Sequence, residues 1–289
     1  MTSKDATIDR RTLMTRVLAC GLTAPFMPGS IKAETKDGTH GSELIQNPLL
    51  WAVAWSSTAA EFAALCHQAF NFAKFRVDQA VQQHDGSKRP LAVIADMDNT
   101  IVHAASYWGY LINEGIDFFN DDIWDEWIPK NLITLVPGAE EFLRHCEKQS
   151  VEVFYVTNRD QGPNTYNYAL KQLQYLEIPF ADREHLTVFQ DSSDKTPARE
   201  AISATHELTL LLGDNLNDFK RDYYIDDIDE RFALVERDKE DLGSRFIILP
   251  NATDGHWVRA IFGESEPAAT AENRQILLEA ATRQAWDGK

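Results

Sequence analysis

Asp96 and Asp98 stand two residues apart, directly after the apolar run Leu91-Ala92-Val93-Ile94-Ala95. Five apolar residues ending in two acids read as a buried strand that delivers both carboxylates to its C-terminal tip. In open α/β sheets that tip is where ligands bind. Two acids this close to a sheet interior repel each other and lose solvation, so they need a bound cation or a split between their pKa values. The plain alternative is a strand ending in a polar turn, because Asp and Asn are ordinary turn residues. A calcium loop is excluded: Ile101 stands at the sixth position, where that loop needs glycine, and a strand precedes the stretch instead of a helix. Other reactive side chains follow apolar runs in the same way. Thr157 ends one predicted strand, Asp214 and Asp218 follow another, and Lys195 opens a helix between them. Gathered at one sheet edge they would supply a nucleophile, an acid/base, a cation site and donors for phosphoryl oxygens, which are the parts phosphoryl transfer requires.

The elements that must position these groups alternate in type. The pattern predicts strands at 91–95, 151–157, 186–189, 208–212 and 246–250, and helices at about 139–149, 165–176 and 196–205. Strands alternating with helices imply an α/β fold with a Rossmann-like parallel sheet flanked by helices. Ahead of the first strand, Phe62, Leu65, Cys66, Ala69, Phe70, Ala73 and Val77 trace one face of a helix predicted from Leu49 to about Gln83, an N-terminal helical addition. After it, Tyr107, Trp108, Tyr110, Phe118, Phe119, Trp124 and Trp127 crowd an irregular stretch that reads as an inserted cap, about 102–136. Residues 266–289 read as a C-terminal helical tail.

Charge and the N-terminus set further bounds. The 289 residues carry a net charge of −17, which argues against nucleic acid and anionic membrane surfaces as partners. An anionic small substrate remains possible where a metal ion or a few lysines reverse the field. Arg10-Arg11 precedes a modest apolar segment, Leu13 to Met27, which Arg16 interrupts. It is too short for the roughly 20-residue span of a transmembrane helix and resembles a twin-arginine export signal. A disordered tail or a short amphipathic helix is the alternative. The expected organisation is a signal over 1–33, a linker over 34–48 and one domain over 49–265, in a periplasmic or secreted protein. Lipid anchoring at Cys20 is disfavoured by the short, interrupted run before it. Cys66 and Cys146 read as small core residues that could pair in an oxidising compartment; no Cys/His cluster argues for zinc.

With these motifs in view, the chain resembles the class C acid phosphatases, the group that includes bacterial outer-membrane lipoprotein acid phosphatases and 5′-nucleotidases within the haloacid-dehalogenase-like superfamily. The family's first signature, Asp-x-Asp-Glu-Thr followed by Tyr, is matched by Asp96-Met97-Asp98-Asn99-Thr100 and Tyr107, except at the Glu. Its second, Gly-Asp-Asn-Leu-x-Asp-Phe, is matched throughout by Gly213-Asp214-Asn215-Leu216-Asn217-Asp218-Phe219. Similarity extends to Trp55–Ala73, Val136-Pro137-Gly138-Ala139-Glu140, Phe154–Arg159, Asp194-Lys195 and Leu249-Pro250-Asn251-Ala252, over about residues 48–265.

The resemblance implies a phosphomonoesterase with Asp96 as nucleophile and Asp98 as the acid and then the base. It implies Mg²⁺ held by the Asp96 carboxylate, the Asp98 backbone carbonyl and the Asp214 carboxylate. Thr157, Lys195 and Asn158 would bind the phosphoryl group, with Asp218 in support. Substrates would be small phosphate monoesters, nucleoside monophosphates among them if an aromatic side chain stacks on the base. A specific 5′-nucleotidase, a phosphotransferase and a non-catalytic phosphate-binding protein are the rival functions. Asn99 in place of Glu is expected to alter local hydrogen bonds or cap contacts. His103 is expected to be an exposed polar residue at the mouth of the cap, with a phosphate contact as the alternative. The acidic stretches 121–126 and 226–230 are expected to be solvated faces.

Overall fold

The computed structural model describes residues 46–86 and 88–288; the expected signal and nearly all of the linker lie outside them. Its centre is a five-stranded sheet of β1 (Leu91–Ala95), β4 (Glu152–Asn158), β5 (Leu186–Phe189), β6 (Glu207–Gly213) and β7 (Phe246–Ile248), in the order β5-β4-β1-β6-β7. All four pairings are parallel, with Ala95 level with Tyr155 on one side and with Leu212 on the other. Every residue of β1 is buried, which is why the run reads as continuously apolar instead of alternating. Its side chains divide between two faces. Leu91, Val93 and Ala95 join one core with Phe70, Phe142 and Leu143, while Ala92 and Ile94 join another with Ala198, Ile202 and Phe219. The chain winds outward from β1 through β4 to β5 and then returns to β6 on β1's other flank. The reversal opens a crevice at the C-terminal ends of β1 and β6, where Asp96 and Asp214 stand.

The predicted N-terminal helix is in fact two, α1 (Leu49–Thr58) and α2 (Ala60–Gln83), bent by 68°. Ala59 is extended (φ −81°, ψ 126°) and has no side-chain cap. Trp55 and Phe62 pack edge to face across the break at 5.5 Å, and the turn lays Phe62, Cys66, Phe70, Ala73 and Val77 into the core. No single helix among the described residues is long and apolar enough to cross a membrane. Cys66 and Cys146 are both buried free thiols, and burial pushes the Cys66 thiol up to about 12.

The aromatic stretch is more regular than its composition implies. Strands β2 (Val102–His103) and β3 (Thr134–Leu135) pair antiparallel and close its base. Between them lie α3 (Ala105–Asn113) and α4 (Asp121–Trp127). Tyr107 is the fully buried hub, with Trp108, Phe119 and Trp124 within 5.5 Å of its ring. Its hydroxyl donates to the Asn120 carbonyl and accepts from the Asn120 N–H. His103 corrects the expectation of exposure: it is half-buried and stacks on Phe62 at 5.3 Å.

The acidic stretches are helix starts. Asn120 caps α4, whose first turn holds Asp121 and Asp122, and Asp227 caps a helix over Ile228–Asp238 through the Glu230 N–H. Acids there complement the helix dipole. That helix and another at His256–Phe262 escaped the sequence pattern; Ala271–Thr282 is helical within the C-terminal segment.

Candidate active site

The Asp96 N–H still belongs to the sheet, donating to the Leu212 carbonyl at 2.9 Å. The chain then folds into a tight turn, with Asn99 N–H on the Val102 carbonyl at 2.7 Å and Ile101 N–H on the Met97 carbonyl at 2.8 Å. Asn99 sits in the left-handed region at φ 53°, a conformation Asn adopts more readily than most side chains. On the neighbouring strand, Gly213 leaves room for Asp218: a Cβ there would collide with the Asp218 carboxylate. Asp218 in turn accepts from the Asn215 N–H at 3.0 Å, closing a reciprocal capping box over Asn215 to Asp218. The second signature thus folds back so that both its acids point into the crevice.

Asp96, Asp214 and Asp218 each place one carboxylate oxygen within 4.8 Å of the others. Lys195, at the start of the helix Thr196–Thr205, is buried against them, pairing with Asp96 and, at 2.7 Å, with Asp218. Burial opposes its charge, but the Asp218 and Asp96 carboxylates outweigh that and raise the ammonium above its ordinary value. Burial raises Asp96 to about 7; Lys195 pulls the other way, while Asp218 and Asp98 add to the rise. Asp214 is raised well above the carboxylate range, first by burial and then by repulsion from Asp218 and Asp96. Three carboxylates against one ammonium leave the ionised cluster two charges negative (−3 + 1), and its donors are hard oxygens. That set suits a hard divalent cation.

Asp98 stands apart. Its carboxylate is gripped by both prongs of Arg159, Nε to Oδ2 at 2.7 Å and Nη2 to Oδ1 at 2.6 Å, while Thr157 Oγ1 reaches Oδ2 at 3.5 Å. Arg159 is buried and anchored by Gln172, Nη1 to Oε1 at 2.7 Å, and Gln172 donates to the Ile128 carbonyl at 3.1 Å. Sequence reasoning missed Arg159 as a site residue. The only available sign was a cationic residue one place beyond Asn158, at the end of a strand that already carried Thr157.

These groups line a cavity of about 150 Å³, room for roughly five waters. Asp96, Asp98, Asp214, Asp218, Thr157, Asn158 and Arg159 face it, and Trp108, Phe119 and Trp124 of the cap form an aromatic wall. Lys195 does not line the cavity; its ammonium is engaged with the two acids. Glu266, raised to about 7 by burial and by neighbouring Asp121, faces it from the C-terminal side. Asp254 lines it too and accepts from Asn99 Nδ2 at 3.1 Å, a bond that a Glu carboxylate in place of Asn99 could not donate.

His256 completes the rim, bonded through Nδ1 to Ser265 Oγ at 2.7 Å and set edge to face on Tyr224 at 4.8 Å. Burial, followed by the nearby cations Arg231, Arg221 and Lys195, holds its imidazole down at about 4. Unfolding frees it to take a proton near pH 6.5. The neutral ring therefore stabilises the fold fully above pH 6.5, and that contribution is lost as the pH falls through about 4. At about 1.4 kcal/mol per unit, the gap between about 4 and 6.5 makes its full range on the order of 3 kcal/mol. Replacing His256 by Gln should flatten the fall in melting temperature between pH 7 and pH 4.5; an unchanged slope would show that His256 does not carry it.

Comparison with known proteins follows the same lines. The model of the family described as HAD superfamily, subfamily IIIB (Acid phosphatase) matches residues 29–257, more than half of the chain. Two solved structures of the class C acid phosphatase from Bacillus anthracis are similar at 28% identity, each match covering 82% of this chain and 97% of that one. The TM-scores are 0.75 for the structure with tungstate bound and 0.74 for the other.

Proposed function

The chain belongs to the acid phosphatases of the HAD superfamily, subfamily IIIB, and from that premise we propose that it is a magnesium-dependent phosphomonoesterase working through an aspartyl-phosphate on Asp96. Phosphatase activity comes with the family; the metal and the mechanism are the proposal. One observation carries it: the trio Asp96, Asp214 and Asp218 closed around the buried Lys195, at the C-terminal edge of a parallel sheet. Mg²⁺ would be held by the Asp96 and Asp214 carboxylates and the Asp98 backbone carbonyl; when bound it keeps Asp96 ionised and screens the incoming phosphoryl charge.

Asp96 then attacks phosphorus, and the bond to the leaving oxygen breaks. Asp98 gives that oxygen a proton, and afterwards takes one from the water that attacks the aspartyl-phosphate, releasing phosphate and restoring both acids. Arg159 holds the Asp98 carboxylate through two hydrogen bonds. A bound phosphoryl group competes for that guanidinium and frees Asp98 for the proton transfer. Thr157, Asn158 and Lys195 hold the phosphoryl oxygens, Lys195 exchanging its Asp96 contact for one of them. Removing divalent metal with EDTA should lower aryl phosphate hydrolysis by about 10²-fold or more, with Mg²⁺ restoring it. Full activity in the chelator would end the metal reading.

A narrower 5′-nucleotidase is favoured by the aromatic wall of Trp108, Phe119 and Trp124, against which a nucleobase would stack. A panel of monophosphates separates the readings: phosphate release from nucleotides alone supports the narrower one. Export to the periplasm or beyond is supported by Arg10-Arg11 ahead of its apolar segment. Changing the pair to Lys-Lys should leave active enzyme in the cytoplasm, and undiminished export would count against a twin-arginine route.

A further inference from the structure

Asp254 takes no part in the chemistry proposed above, yet it is wired to it. It lies in the loop between β7 and the helix His256–Phe262 and lines the same cavity as Asp96 and Asp214. Oδ1 accepts from three donors: Asn99 Nδ2 at 3.1 Å, Asn251 Nδ2 at 2.8 Å and Thr253 Oγ1 at 3.0 Å. The same Asn251 Nδ2 donates to Asp214 Oδ2 at 2.7 Å. One amide group therefore ties the two carboxylates together. The other Asp214 oxygen is fixed by Thr100 Oγ1 at 3.1 Å, so the orientation of Asp214 depends on what Asn251 is tied to.

We propose that Asp254 is a positioning residue for the metal site: held by Asn99 and Thr253, it orients Asn251, and through Asn251 it sets Asp214 to receive the cation. Amides have no charge to keep them aimed at a carboxylate. A second carboxylate on the same amide fixes Asn251 with its nitrogen toward Asp214, because its oxygen toward either acid would set lone pair against lone pair. Asn251 Oδ1 is correspondingly turned away, accepting from the Thr253 N–H at 2.9 Å and, at 2.8 Å, from the Thr253 hydroxyl that it shares with Asp254 Oδ1. Asn99, with Asn251 and Thr253, supplies the donors that a carboxylate at position 254 needs. The loop has other holds, including Trp257 Nε1 on the Asp254 carbonyl at 2.8 Å, so the Asp254 side chain is not needed to shape it.

The proposal rests on the magnesium reading, and its test separates the two. Calorimetric Mg²⁺ titration of the metal-free protein is run for wild type, Asp254→Asn, Asn99→Glu and the double variant, alongside metal-free melting curves. Contacts that orient metal ligands typically change affinity about 10–100-fold. Asp254→Asn should weaken Mg²⁺ binding by that factor while still melting cooperatively. Asn99→Glu sets a second carboxylate against Asp254 and should weaken binding too; the double variant, one acid and one amide again, should recover to within about threefold of wild type. Wild-type affinity in folded Asp254→Asn overturns the proposal. If that variant does not fold, wild-type affinity in Asn99→Glu, or no recovery in the double variant, overturns it equally. Absence of Mg²⁺ binding by wild type removes the metal reading and this proposal with it.

Discussion

Asp96→Asn is expected to lower kcat for aryl phosphate hydrolysis by about 10⁴-fold or more, the scale on which enzymes lose turnover with their nucleophile, without destabilising the protein. The amide keeps the shape of the carboxylate and its Oδ1 still accepts from Lys195, but it cannot form the acyl phosphate. Stability should hold or rise, because Asp96 is held up at about 7 by burial and by repulsion from Asp218 and Asp98. Removing a charge that its surroundings disfavour relieves that repulsion. Melting curves in EDTA and turnover with Mg²⁺ make the check. A variant that loses activity only because it unfolds, or one that keeps more than about a hundredth of wild-type kcat, would remove Asp96 from the nucleophile's role.

Lys195→Met is expected to act on both stability and rate. The ammonium is buried and pairs with Asp96 and Asp218, and without it the three carboxylates of Asp96, Asp214 and Asp218 face one another with no cation. Removing one partner of a buried ion pair typically costs about 3–5 kcal/mol, a fall in melting temperature on the order of 10 °C for a domain this size. The loss should be greatest in EDTA and at alkaline pH, because Asp96, already raised to about 7 with Lys195 beside it, rises further without the ammonium and at lower pH relieves the repulsion by taking up a proton. Mg²⁺ should restore part of it by supplying the missing charge. Turnover should still fall by about 10²–10³-fold, the cost of removing one fixed donor to a developing oxyanion. Equal melting temperatures with and without metal, matching wild type, would show that Lys195 does not hold the acids together.

How far the sequence disclosed the site follows from where each contact is made. Asp96, Asp98, Asp214 and Asp218 end or follow strands that are buried on both faces, so long apolar runs marked the sheet and polar residues marked its edge. Parallel pairing then brings such edges together without further information. Arg159 escaped because its partner Asp98 lies 61 residues away, and a polar residue after a strand looks like a turn. Asp254 escaped for the same reason, following a strand of only three residues, Phe246–Ile248. The break at Ala59 was hidden because Ala is the best helix former; packing of Trp55 on Phe62 ends the helix, not a turn signal. His103 was misjudged as exposed because its burial comes from Phe62, on a separate helix. Propensity and periodicity report what neighbours in sequence do, and each of these depends on a contact made after folding.

The most direct test of the account is to mix enzyme with substrate and Mg²⁺, quench in acid within the first turnover, and map the phosphorylated residue by mass spectrometry. The expected result is a phosphoryl group on the peptide that holds Asp96, present at early times, gone at completion, and absent from Asp96→Asn. A phosphoryl group on another residue, such as His256 at the rim of the cavity, or none at any time during full turnover, would contradict it.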